Sequence, residues 1–127
     1  MAFKLFTADV GQTPPLESVP ADTATTYAVG MALKISSGKA ALASGTDVPV
    51  YICQTAGTGL STIQAIRVLK SQKFNTVFSA TPTSIVPGSK VTIATDGLRV
   101  TATTTDGIAE VISLDGTTSG SAVKVRF

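Results

Sequence analysis

The sequence contains no histidine and no tryptophan. Without histidine there is no Ser-His-Asp or Cys-His nucleophile pair, and the commonest nitrogen ligand of zinc sites is missing. There is one cysteine, Cys53, so an internal disulfide framework is excluded. Cys53 ends the apolar run Val50-Tyr51-Ile52-Cys53, which predicts a small, inert, buried thiol. Charge is also scarce. Asp, Glu, Lys and Arg make up 14% of the chain, against about 25% in an ordinary soluble domain. Ten Lys and Arg against eight Asp and Glu leave a formal charge of +2. The cations are scattered singly along the chain, with no run to neutralise a row of phosphates, so no nucleic-acid partner is expected. Five Phe and two Tyr are the only aromatics, too few for a base-stacking platform. No apolar run reaches the length of a membrane span, and Met1-Ala2-Phe3-Lys4-Leu5-Phe6 is followed at once by polar residues rather than a signal-peptide core. The expectation is a protein made in a cytoplasm, with no membrane partner. A start at Met1 and an end on a strand pattern suggest a complete gene product.

What the chain does have is apolar residues (43%) and hydroxyls, with 20 Thr and 12 Ser. Threonine's branched Cβ suits a pleated, half-buried surface, so both core and surface lean towards β-structure. A length of 127 residues fits one domain with a real core.

Residues 1–26 differ from the rest. Pro14, Pro15 and Pro20 remove backbone donors, so this stretch cannot lie in a central strand. It is predicted to be an extended N-terminal arm, followed by a β-domain over 27–127. In that domain Tyr27 to Ser36 and Lys39 to Ala43 read as a hairpin about Ser37-Gly38. Val48 to Gln54 reads as a strand ending at the flexible Thr55-Ala56-Gly57-Thr58-Gly59. Thr62 to Leu69 is read as a strand for its β-branched residues, although Ile63, Ile66 and Leu69 also keep a loose helical spacing. Phe74 to Ala80 follows. Period-two alternation then runs through Val91 and Ile93, through Leu98, Val100 and Ala102, through Ala109 to Leu114, and through Val123, Val125 and Phe127. Asp96-Gly97, Asp106-Gly107 and Asp115-Gly116 punctuate these strands as turns. The pattern predicts an all-β antiparallel sandwich or barrel.

Little chemistry is available. Asp96, Asp106 and Asp115 precede the turn glycines, while Asp9, Asp22 and Asp47 lie in polar loop-like stretches. Only Glu17 and Glu110 remain, in different segments, which leaves no carboxylate pair and no calcium loop. Ser36-Ser37-Gly38-Lys39 matches S-x-x-K, but the two residues straddle a predicted hairpin turn instead of sharing a helical face. Gly57-Thr58-Gly59 opens like a dinucleotide fingerprint, but Thr62 stands where its last glycine belongs. No enzyme, cofactor, metal or small-molecule substrate is expected.

Tyr27-Ala28-Val29-Gly30-Met31-Ala32-Leu33-Lys34 with Gly38-Lys39-Ala40, then Val48-Pro49-Val50-Tyr51-Ile52-Cys53, resembles the small capsid decoration (cement) proteins of tailed bacteriophages. Val91-Thr92-Ile93, Asp96-Gly97, Val100-Thr101, Ala109-Glu110-Val111, Asp115-Gly116 and Val123-Lys124-Val125-Arg126-Phe127 extend the likeness over 27–127. The resemblance implies a structural virion protein on the outer capsid surface. It would bind the major capsid protein of the expanded head, often as a homotrimer, without cofactor or catalytic residues. On that expectation Phe3, Leu5 and Phe6, large apolar residues in the arm, are the contacts to capsid or neighbouring protomer; the alternative is that they cover the edge of their own domain. Two other functions compete. One is a tail, fibre or surface adhesion module binding a host receptor, which would need aromatics for sugar rings, and only Tyr27 and Tyr51 are on offer besides phenylalanine. The other is an enzymatic or metal-binding accessory domain.

Overall fold

The structure, a computed structural model, describes residues 2–7 and 14–127, with the side chains of Phe6 and Thr7 outside the described set. Short alternating runs broken by glycine and aspartate turns give ten strands and no helix among these residues. They are β1 (Lys4–Thr7), β2 (Glu17–Pro20), β3 (Ala32–Ser36), β4 (Lys39–Leu42), β5 (Tyr51–Cys53), β6 (Thr62–Arg67), β7 (Lys73–Val77), β8 (Lys90–Val91), β9 (Ala109–Leu114) and β10 (Ala122–Arg126). The predicted all-β class holds. One sheet has the order β1-β7-β10-β9-β8 and the other β2-β6-β5-β3-β4, with antiparallel ladders throughout.

Between the sheets lies the main core. Ala32, Ile52 and Ile66 of the second sheet meet Phe74, Val111, Val123 and Val125 of the first. Register partners share a face of a sheet, so the opposite residues of the second sheet, among them Leu33, Tyr51, Cys53, Ile63 and Ala65, point away from this core. They are nevertheless buried, in a second core with Val19, Tyr27 and Ala40. The second sheet curls around that core until Ala21, just past β2, forms a single bridge to Ala40 in β4. One bridge is not a ladder, so the sheet stays open and the architecture is a sandwich.

Tyr27 holds this seam. Its hydroxyl donates to the Ala40 carbonyl at 2.7 Å and accepts from the Asp22 amide at 2.9 Å. Both edges of the curled sheet therefore meet on one buried side chain. Tyr27→Phe keeps the ring but strands both backbone groups, and a loss of about 2 kcal/mol is expected in urea denaturation. A loss below about 0.5 kcal/mol would show that the hydroxyl does not hold the seam.

Local chemistry explains the rest. Ser37 and Gly38 have φ of 51° and 76°, the two positive values a two-residue hairpin turn needs. Thr62–Arg67 is a strand as read, since its neighbours β2 and β5 impose an extended ladder on both sides. Leu98, Val100 and Ala102 do not form the expected strand. Backbone bonds in this region are divided between the segment 92–94 on one side and Val77 and Ser79 on the other, and each side develops only a single bridge to Val100, although Val100 is fully buried.

The N-terminal segment, expected as an arm, is extended but built into the sandwich: β1 pairs with β7 and β2 with β6. The prolines restrict where it pairs rather than preventing it, because an edge strand needs donors on one side only. Neither strand is central in its sheet.

Candidate functional site

Beside β1 the sandwich opens into an apolar groove of about 630 Å³. Phe3, Leu5, Leu16 and Val29 line it, together with Ile66 from the main core. The chain entering β1 crosses directly over Gly30, whose carbonyl accepts from the Phe3 amide at 3.0 Å and whose amide donates to the Cys53 carbonyl at 2.7 Å. Gly30 has φ of 85°, and a Cβ there would strike the Ala2 side chain. A glycine is therefore required for this close approach.

The three residues singled out in the sequence fare differently. Phe3 is 2% exposed and packs edge-on against Phe127 with ring centroids 5.2 Å apart, so it belongs to the core of its own chain, in line with the alternative that it covers its own domain rather than reaching a capsid or neighbouring protomer. Leu5 packs half-buried against the same core and borders the groove. Phe6 lies in β1, and its side chain is outside the described residues. Within the groove the exposed large apolar side chains are instead Leu16 at 60% and Val29 at 53%, which the sequence reading missed. The available signal was a lone large apolar residue after Pro14-Pro15, in a stretch without periodicity.

Several titratable groups form pairs that fix one segment to another. Arg67 in β6 donates from Nε to Glu17 Oε2 at 3.1 Å and from Nη2 to Glu17 Oε1 at 3.0 Å, and also to Tyr51 Oη at 2.7 Å, which links β2, β6 and β5. Arg126 bonds Glu110 across β10 and β9 at 2.7 Å, and Lys34 bonds Asp47 at 2.9 Å. The Arg67, Arg126 and Lys34 hydrogen bonds hold the carboxyls of Glu17, Glu110 and Asp47 below their ordinary values of 4.5, 4.5 and 3.8. A carboxylate with a lowered folded-state pKa adds stability above its ordinary value, and that contribution disappears as pH falls through the lowered one. The melting temperature is therefore expected to stay flat from about pH 8 to about pH 5 and to drop below about pH 4. With no histidine to titrate, a step near pH 6 would contradict this account.

Cys53 is fully buried, and its thiol donates to the Thr55 carbonyl at 3.0 Å; burial pushes its pKa up, which fits an inert core thiol. Ser36 and Lys39 are exposed register partners across the hairpin turn. Gly57 bridges Tyr27, and the strand β6 follows where a nucleotide-binding loop would need a helix. Among the described residues no three His, Cys, Asp or Glu side chains gather as metal ligands, and no helix is long and apolar enough to cross a membrane. Comparison with known protein families, with curated proteins and with solved structures finds no match to this chain.

Proposed function

We propose that this protein is a non-enzymatic decoration protein of a tailed-phage capsid, which binds the major capsid protein on the outer surface of the expanded head and stabilises it by bridging capsomers. The observation that carries the reading is the apolar groove beside β1. It combines the exposed side chains of Leu16 and Val29 with an edge of β1 that no other strand pairs among the described residues. An extended segment of a shell protein could add to that edge and seat alternate apolar side chains in the groove. Burial of each large apolar side chain contributes about 1.5–3 kcal/mol before association costs. Repetition over many copies turns a modest contact into resistance to internal pressure. On this reading the protein is a homotrimer, is made in the host cytoplasm and resides on the virion surface. The resemblance over 27–127 supports the same assignment. The rival adhesion module gains no surface, since Tyr27 and Tyr51 are both buried.

Co-sedimentation with expanded and unexpanded phage heads tests the proposal. Selective binding to expanded heads is expected, weakened at least about tenfold by Leu16→Asp with Val29→Asp, two positions exposed enough to leave the fold intact. Equal binding to both head forms, or none to either, would refute it.

A further inference from the structure

The second sheet hides its far face in its own curl, whereas the first sheet leaves its outer face open. Register and burial identify that face. Phe74, Thr76, Val123, Val125, Val111 and Ala109 are buried, so the residues alternating with them point outward. Two rows result. One runs Lys4, Asn75, Lys124, Ser113 across β1, β7, β10 and β9. In the other, Arg126, Glu110 and Lys90 follow one another across β10, β9 and β8, with Lys73 of β7 flanking Arg126. None of these residues is buried.

Folding thus gathers on one face cations that are scattered in sequence. Five of the ten Lys and Arg stand here, against Glu110 and, at the rim beside Lys124, Asp115. The surplus of three positive charges exceeds the +2 of the whole chain, so the remainder of the molecule is net negative by one. Neighbouring strands are about 4.8 Å apart and alternate residues about 7 Å, within the Debye length of about 8 Å at physiological salt, so the fields of these charges add. Among the described residues Lys4 and Lys73 enter no ion pair.

We infer that this outer sheet face is a docking surface for an acidic protein surface. Charge complementarity specifies the partner's sign. Two observations favour a protein over a nucleic acid. Every aromatic side chain among the described residues is buried, so none of these offers a base a stacking surface on the face. Glu110 also interrupts the second row between Arg126 and Lys90, where it would repel a phosphate chain but would suit a protein of mixed charge. The inference goes beyond the head-binding groove, and the two surfaces share only Lys4.

The test uses the full chain with poly-L-glutamate as the acidic polypeptide probe and a single-stranded DNA oligonucleotide as comparison. Lys73→Glu with Lys90→Glu reverses charge on the face without touching the groove. Lys39→Glu with Lys70→Glu makes the same change in net charge at exposed sites elsewhere. Polyglutamate is expected to bind in a salt-dependent manner, with its Kd raised about tenfold by the face pair and about twofold at most by the control pair. Equal weakening by both pairs, no polyglutamate binding at low salt, or tighter binding of DNA through the same lysines would each overturn the inference. Because neither pair alters Leu16 or Val29, these results are independent of the head co-sedimentation outcome.

Discussion

Phe3→Ala is expected to cost about 3–5 kcal/mol of folding stability, the range for emptying a buried phenylalanine site. Three features place it at the high end. The ring is 2% exposed and meets Phe127 edge-on, and Phe127 in turn lies against Phe74 with centroids 5.6 Å apart. The cavity would open where β1 is pinned to Gly30 by the Phe3 amide, so collapse around it is limited. Among the described residues β1 pairs with β7 alone, so losing its anchor should also loosen the strand itself. Urea denaturation measures the loss, with Leu16→Ala as the exposed apolar control, expected within about 0.5 kcal/mol of the parent. Unchanged stability of Phe3→Ala would mean that the N-terminal segment is an appendage after all. For the same reason, deletion of residues 2–20 would remove an edge strand from each sheet and would report on folding before it reported on binding.

Gly107→Ala is expected to cost about 3 kcal/mol, the upper end for overpacking. A Cβ at Gly107 would collide with the carbonyl of Lys90 and come within 2.7 Å of the Val91 amide nitrogen, both main-chain groups of β8. No rotamer change can clear a backbone, so β8 must separate from the loop or from β9, with which it pairs through Lys90 and Val91. Gly116→Ala is the comparison. Its new methyl would meet the Ser121 hydroxyl at 2.7 Å, a side chain that can turn aside, and a cost of about 1 kcal/mol is expected. Similar melting temperatures for the two variants would remove the distinction between backbone and side-chain obstruction.

The turn at Asp106-Gly107 illustrates what sequence could and could not reveal. The pair reads as a turn, and it is one, but the positive φ of 54° falls on Asp106, while the glycine is needed for closeness to β8. Local signals of this kind were legible wherever one strand pair and its turn decide the outcome, as at Ser36 to Lys39 and from Ala109 to Leu114. They failed at Leu98 to Ala102, where alternation reports burial on one side but not whether a partner strand runs alongside. The arm was misjudged for a related reason: proline says that a segment cannot be central, not that it stands apart. The groove and the basic face share this origin. Leu16 and Val29, or Lys4, Lys73, Lys90, Lys124 and Arg126, are isolated letters in the chain, and only pairing between distant strands makes them neighbours.

The strand order β1-β7-β10-β9-β8 has a consequence for biogenesis. β10, the last strand in chain order, is the middle strand of its sheet. During synthesis β7 and β9 emerge with nothing between them, and β1 waits for β7. This half of the molecule cannot be completed from its N-terminal end while translation proceeds. It should assemble in one late step once β10 has left the ribosome, slowly, as non-local pairings do.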